Sequence, residues 1–534
     1  MKHFTKSLTF FLLLTAFHLN AQEIKEQSWE EISKGYTVPD WFKDAKFGVF
    51  THWGPQTQPD SGGGWYARHM YMRDIGREAW GRNAYPYHVK TYGHPSEKGF
   101  KDVIYTWKAE NLDTDALVAF FKEIGAKYYV AMANHHDHFD NFASTHHPWN
   151  SVNVGPKRDI IGEFVKSAKK YDLPVGASVH DDRFMRWWLP AFGADQAGPK
   201  KGVPYDGHMT LEDGRGKWWE GLDPALLYGL PPKKRTPGWE TWVKENWVAR
   251  HTELVDKYNL DMLWFDGYDF PYGEYGKQVC AHLFSKSLQE NGKIETVITN
   301  KANDPGIVYD VERGVANEIK DKTWQGTITF TSWFYKKDNP RRHNERTILE
   351  VLVDAVSKNG NLLVSVELYP DGMIVKDQKE IMEKVGNWLK VNGEAIYATR
   401  PWEVYGDGSS IQGKKPFEDR VFSEVSEEGQ EIAKKGEQMN ERTIHAEPYE
   451  SNEVRFTTKG DILYMIALNP KPGELIVPSL GIGAQTSPGK IKSIYMISTS
   501  QKIKFKQKKD FLELIIPGEV PGKYPVAFRI NGAL

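Results

Sequence analysis

Four apolar runs in this sequence end in side chains that could do chemistry. Phe47–Phe50 leads into Thr51-His52-Trp53-Gly54, and Tyr128–Ala133 into Asn134-His135-His136-Asp137-His138. Val175–Val179 leads into His180-Asp181-Asp182, and Met262–Phe265 into Asp266-Gly267. Imidazoles and carboxylates bond hydroxyl groups, and flat indole faces cover the C–H surface of a sugar ring. Gathered at one mouth, such a set suits a neutral, hydroxyl-rich ligand. Asp266 carries the most weight, because an apolar strand delivers a single carboxylate at its end and Gly267 lets the chain turn away. Glycoside hydrolysis needs two carboxyl groups, one to attack or to activate water and one to protonate the leaving oxygen. By position alone, Asp266 suits capping of the next helix equally well. A metal reading is weaker. His135, His136 and His138 are close in sequence, but neighbours on a strand point to opposite faces. No HExxH or other zinc spacing occurs, so no catalytic metal is expected.

These residues need a scaffold that brings strand ends together. Strands are expected at Phe47–Phe50, Tyr128–Ala133, Val175–Val179, Met262–Phe265, Thr296–Thr299, Ile328–Ser332 and Leu362–Val366. They are short and apolar on both sides, as parallel strands covered on two faces should be. Amphipathic helices are expected between them, at Thr114–Ile124, Ile160–Lys170 and Thr347–Ser357, with Asp113 and Asp159 as N-caps. No glycine-rich dinucleotide fingerprint or P-loop follows any strand. A (β/α)8-like TIM barrel over residues 22–400 fits the alternation and its length. A Pro-, Gly- and Trp-rich stretch at about 190–242 reads as a structureless β→α insertion near the site mouth, a place where long loops are usually functional. Residues 401–534 change to short alternating runs separated by turn residues, the pattern of an antiparallel β-sandwich. Within them, 424–442 is highly charged and expected to be exposed.

Composition narrows the function classes. The 69 basic and 71 acidic residues nearly balance, which gives no general attraction to nucleic acid or to an anionic membrane surface. The single cysteine, Cys280, excludes an intramolecular disulfide and a thiolate metal cluster. The load of 19 Trp, 25 Tyr and 26 Phe exceeds what a core needs. Some of these rings, including Trp53, are expected to line the pocket. Trp187, Trp188, Trp218, Trp219 and Trp239 are expected to wall it. Residues 1–21 have the charged start, apolar run and small-residue end of an export signal. The mature protein is therefore expected outside the cytoplasm, periplasmic or secreted, and free of the membrane once the signal is removed.

The ordered motifs resemble glycoside hydrolase family 29, the α-L-fucosidases. Trp41 to Gly54 is similar to the family's opening strand, and Lys127 to Asp137 to its double-histidine strand. Gly155-Pro156-Lys157-Arg158-Asp159 is similar to the start of its next helix, and Leu263-Trp264-Phe265-Asp266-Gly267 to the strand bearing its nucleophile. Ser357-Lys358-Asn359-Gly360-Asn361-Leu362-Leu363 and Pro370-Asp371-Gly372 resemble a late barrel strand and its sequel. The resemblance implies a retaining exo-α-L-fucosidase acting on glycans, with Asp266 as nucleophile and no cofactor. It implies His52, His135 and His136 on the sugar hydroxyls, and Trp65 and Trp264 on its apolar side. Glu312, in Asp310-Val311-Glu312-Arg313-Gly314, resembles the family's acid/base segment, with Glu318 as second candidate.

Several positions depart from the family pattern. Gly62-Gly63-Gly64 precedes Trp65-Tyr66 where an acidic residue is common. Asn300-Lys301 stands where Asn-Asp-Arg is usual, so Lys301 would replace a sugar-contacting arginine, which a lysine does not mimic in a bidentate contact. His180 ends a strand that is usually Tyr-rich. His180, Lys301 and Arg183 are therefore candidates for an altered sugar contact. The alternatives are the same mechanism on another or sulfated sugar, such as α-L-galactose, or a carbohydrate-binding protein with impaired catalysis.

Overall fold

The computed structural model describes residues 28–73, 83–267, 270–302, 304–330, 332–337, 343–412, 449–518 and 524–534. The expected export signal and the charged stretch 424–442 lie outside the described residues.

Eight parallel strands close into a barrel in chain order. They are β1 Phe47–Thr51, β2 Tyr129–Met132, β3 Val175–Val179, β4 Met262–Phe265, β5 Val297–Asn300, β6 Val308–Glu312, β7 Trp324–Thr329 and β8 Gly360–Ser365. β8 returns to β1, with Leu362 opposite Phe47. Every residue of β1 to β5 is buried, which is why these strands read as unbroken apolar runs rather than as alternation. The flanking helices include α1 Thr114–Glu123, α2 Ile160–Lys170, α3 Pro237–Tyr258, α4 Glu274–Asn291, α5 Glu345–Ser357 and α6 Lys376–Asn392. Asp113 and Asp159 cap α1 and α2, accepting from Ala116 N at 2.9 Å and Gly162 N at 3.1 Å.

Two strands differ from expectation. β6 was not anticipated, and the strand expected at Ile328–Ser332 runs from Trp324 to Thr329 instead. The reason is a polar patch inside the barrel. Asp310 Oδ1 accepts from Gln325 Nε2 at 2.8 Å and from Thr327 Oγ1 at 2.6 Å, and Tyr128 OH donates to Gln325 Oε1 at 2.8 Å. Hydrogen-bonded polar side chains sit where an apolar run would be sought, although Asp310 Oδ2 itself is buried with no hydrogen-bond partner among the described residues.

The insertion after β3 is not structureless. It is built of short turns and a helix, Pro224–Tyr228, before α3 begins. It is pinned from below by Asp206, which takes Lys101 Nζ at 3.0 Å and the hydroxyls of Tyr71 and Tyr228 at 2.6 and 2.8 Å. Beyond the barrel, a five-stranded antiparallel sheet (order β13-β16-β11-β10-β9) faces a three-stranded one (β12-β15-β14). These strands are β9 Gly406–Asp407, β10 Val454–Lys459, β11 Ile462–Ala467, β12 Gly473–Val477, β13 Ser493–Met496, β14 Phe505–Gln507, β15 Leu512–Ile516 and β16 Val526–Asn531. Phe456, Met465 and Phe528 of one sheet pack with Leu475, Leu512 and Leu514 of the other. The sandwich is tied to the barrel helices by Arg455 Nε on Asp354 at 2.6 Å and by Trp388 Nε1 donating to Pro525 O at 2.7 Å.

Candidate active site

Asp266 follows β4, at the C-terminal mouth of the barrel where βα loops gather. Its N–H donates to Val179 O at 3.0 Å, so the backbone is still held by β3. Gly267 then turns away with φ +102°, a left-handed value that glycine adopts without strain. Asn300 Nδ2 donates to Phe265 O at 3.1 Å and braces the same turn. The carboxylate is not spent on capping a helix. Oδ1 accepts from Lys301 Nζ at 2.7 Å and from Gly267 N at 2.8 Å, while Oδ2 faces His136 Nε2 at 3.5 Å and His180 Nδ1 at 3.6 Å. Burial alone would raise this carboxyl, but the Lys301 ammonium and the two imidazoles outweigh it and hold Asp266 well below the usual carboxylate range.

Lys301 also meets a second carboxylate. Its Nζ lies 2.5 Å from Glu312 Oε2, at the last residue of β6. One ammonium touching both groups limits the gap between their nearest oxygens to about 5 Å, the separation expected for nucleophile and acid/base in a retaining glycosidase.

Four imidazoles surround Asp266. His52 lies 4.9 Å from His180, and His135 lies 4.4 Å from His136 and 4.9 Å from His180, centroid to centroid. Neighbouring histidines were expected to face opposite ways. They do not, because β2 ends at Met132 and strand alternation has stopped before His135. Each ring is oriented by a polar neighbour: His52 Nδ1 by Ser365 Oγ at 3.3 Å, His135 Nδ1 by Gln56 Nε2 at 2.9 Å, His180 Nε2 by Ser178 Oγ at 2.9 Å, and His136 Nδ1 by the carbonyl of His180. Burial drives His52 and His135 well below the usual imidazole range and His136 down to about 3. These three rings are therefore neutral around neutrality and can both donate to and accept from hydroxyls. Among the described residues, no group of three or more His, Cys, Asp or Glu side chains is placed to hold a metal ion.

A second charged cluster lies behind the mouth. Arg250 of α3 is fully buried, with Nε donating to Asp140 Oδ2 at 3.0 Å and Nη1 to Asp181 Oδ2 at 2.8 Å. Asn134 Nδ2 donates to Asp140 Oδ1 at 3.1 Å, and His180 N donates to Asn134 Oδ1 at 3.3 Å. The cluster locks the β2 and β3 ends that present His135, His136 and His180.

The sequence profile of the family described as Alpha-L-fucosidase matches residues 12–394. The chain belongs to the α-L-fucosidase family. It is 27% identical over 387 residues to the bovine (Bos taurus) tissue alpha-L-fucosidase, covering 70% of this chain and 72% of that protein. The solved structure of Thermotoga maritima alpha-fucosidase with a mechanism-based inhibitor aligns with a TM-score of 0.65 at 24% identity, over 94% of this chain and 99% of that one. An α-L-fucosidase from Bacteroides thetaiotaomicron, trapped as a covalent intermediate with 2-fluoro-fucosyl fluoride, aligns at 0.59 and 18% identity over 92% and 95%. The structural likenesses establish the shared architecture of barrel and C-terminal β domain.

Within this fucosidase-family site, the aromatic residues divide by position. Trp65 is half-buried and stands edge-to-face on His136 at 5.9 Å and on Trp187 at 4.7 Å. Trp264 is fully buried and forms the floor beneath His180 at 5.0 Å and Lys301 at 5.8 Å. Trp53 is not in the pocket: it packs on Trp107 at 4.8 Å and donates to Tyr369 O. Of the insertion tryptophans, Trp187 reaches the histidines, at 4.8 Å from His136, whereas Trp188 and Trp219 are buried against Tyr228 and over Lys101. Glu318 is exposed and pairs with Lys320 at 3.6 Å. Sequence reasoning missed Gln56, Ser178 and Ser365, single polar residues inside or beside apolar runs. Trp333 and Phe334, where the sequence departs from the family's Ser-Trp-Gly strand, stand 4.4 and 5.9 Å from His52.

Proposed function

We propose that the chain is a retaining exo-α-L-fucosidase, with Asp266 as nucleophile and Glu312 as acid/base. The observation carrying this reading is the Asp266–Lys301–Glu312 triple: an ionised carboxylate at the strand end, with a second carboxylate within one ammonium's reach. In the first step an Asp266 oxygen bonds to the anomeric carbon while the glycosidic C–O bond breaks, and Glu312 protonates the departing oxygen. In the second, Glu312 takes a proton from water, whose oxygen displaces Asp266 from the sugar. His52, His135 and His136 bond the sugar hydroxyls, Trp65 covers its apolar face, and Lys301 and His180 keep Asp266 oriented. The substrate is a glycan with a terminal α-L-fucose or a closely related L-sugar. The N-terminal pattern supports export to the periplasm or medium.

The test is release of an aryl alcohol from an aryl α-L-fucoside, followed with product-configuration analysis. Retention and loss of turnover in Asp266→Asn with intact folding support the reading; inversion, or an active Asp266→Asn, removes the nucleophile assignment. With a good leaving group, Glu312→Ala should recover activity on addition of azide. An unchanged rate there reassigns the acid/base.

A further inference from the structure

Arg183 lies at the edge of the same mouth and is not used by the chemistry above. It closes the short turn Asp181–Arg183 after His180, and its neighbour Asp181 is clamped by Arg250 at 2.8 Å, so its backbone position is fixed. The guanidinium lies 5.8 Å from the centre of the Trp65 ring, on the indole that stands against His136. Its charge is felt by both His136 and Asp182.

Arg183 has no acceptor among the described residues, unlike several of the arginines around it. Arg68 donates to Trp187 O at 2.5 Å, Arg73 pairs with Asp195 at 2.7 Å, Arg235 donates to Leu230 O at 2.7 Å, and Arg250 binds Asp140 and Asp181. Among the described residues, no oxygen accepts a hydrogen bond from the half-buried Arg183 guanidinium, and no carboxylate lies within ion-pair distance of it. Its donors face the mouth with no protein oxygen occupying them, so an anionic group entering there meets a cation free to bind it. The nearby carboxyls offset its charge only in part. Burial, and then the charge of Asp266, push Asp182 up to about 7, and Asp266 is already matched by Lys301. On the chain before Trp65, Gly62, Gly63 and Gly64 bring no side chain and no negative charge. Gly63 holds φ +62°, and a Cβ at Gly64 would lie 2.7 Å from the Phe334 ring, so this lip is built bare.

We propose that Arg183 anchors an anionic subsite, and that the glycan taken by this chain carries a sulfate ester or carboxylate group against the Trp65 edge of the pocket. A planar guanidinium held near an indole face is suited to such oxyanions, which it grips bidentately. The proposal rests on the glycan-hydrolase reading and names the substrate class for it.

The experiment uses the full mature protein and three matched probes: a neutral α-L-fucosylated oligosaccharide, the same oligosaccharide bearing a sulfate ester, and the same bearing a uronic acid carboxylate. The readout is the ratio of kcat/KM on each anionic probe to that on the neutral one. This ratio should exceed one in the parent, fall roughly tenfold or more in Arg183→Gln, recover in part in Arg183→Lys, and shrink as salt is raised. Which anionic probe gives the larger ratio identifies the oxyanion. A parent ratio at or below one, or a ratio unchanged in Arg183→Gln, overturns the proposal. Calorimetric binding of the same probes to Asp266→Asn keeps the two readings distinguishable. Absence of turnover on every probe sinks the hydrolase reading, while the anionic-to-neutral binding ratio still decides the role of Arg183.

Discussion

The two clusters at the mouth of the barrel have the same formula and opposite characters. In each, one basic side chain lies between two carboxylates. Around Arg250, the basic group and both partners, Asp140 and Asp181, have 0% side-chain exposure. Asp181 also accepts from Trp247 Nε1 at 2.6 Å, and Asp140 from Asn134. Around Lys301, the lysine is 6% exposed, Asp266 14% and Glu312 21%. A planar guanidinium fixes the geometry of its partners, whereas an ammonium is a compact point charge that leaves them room to act. The first cluster is complete in itself and supports strand ends. The second keeps carboxylate oxygens within reach of a ligand.

The comparison breaks most visibly at Asp266. Asp266→Asn should lower kcat on an aryl α-L-fucoside by about 10⁴-fold or more, the scale seen when a nucleophile is removed. Its fold should stay intact, with only a modest fall in melting temperature from the lost charge pairing with Lys301. Arg250→Met should do the reverse in kind. It leaves Asp140 and Asp181 buried without their counter-ion, and should cost about 3–5 kcal/mol of stability in urea unfolding. A loss under about 1 kcal/mol there, at unchanged denaturant slope, would mean that the rear cluster is not a scaffold.

Lys301→Met sharpens the difference through pH. As the proposed nucleophile, Asp266 would have to be ionised, and Lys301 is the largest of the influences that hold its carboxyl below the usual range against burial. Without the lysine, the carboxyl rises, and a raised carboxyl needs a higher pH to ionise. The acidic limb of kcat/KM against pH should therefore move upward, by about one unit or more. The stability linkage has the same sign. The depressed Asp266 contributes stability that is present above its unfolded-state value and lost as pH falls toward its folded one. In Lys301→Met that contribution should be smaller, and the parent-minus-variant stability gap should narrow as the solution is acidified through the ordinary carboxylate range. An acidic limb that stays in place would show that the imidazoles alone keep Asp266 ionised.

The legibility of the sequence follows the same division between apolar and polar surroundings. β1 to β5 were readable because they are buried on both faces and nothing interrupts them. The residues released at their ends, His52, His135, His136, His180 and Asp266, were readable for that reason. β6 and the start of β7 were hidden by Asp310, Gln325 and Thr327, which make the barrel interior polar where a run of Val or Ile was sought. Glu312 lies on that hidden strand. Its place beside Asp266 was therefore reached through a family resemblance rather than through pattern. The link between Lys301 and both carboxylates joins the ends of β4, β5 and β6, a long-range relation that no local spacing carries.

The smallest expected effect separates orientation from charge. Ser178 lies in β3 with its Oγ 2.9 Å from His180 Nε2, while His180 Nδ1 faces Asp266 at 3.6 Å. A serine hydroxyl can accept as well as donate, so it allows His180 to present an N–H at Nδ1 toward the carboxylate. Ser178→Ala removes that selection and leaves the Lys301 contact in place. A neutral hydrogen bond of this kind is worth about 1 kcal/mol, so kcat/KM should fall by roughly fivefold. The acidic limb should move much less than in Lys301→Met, because the ammonium is the stronger influence on Asp266. A limb shift equal to that of Lys301→Met would place the control of Asp266 in the β3 imidazole, and the front cluster would then be set by its strands rather than by its lysine.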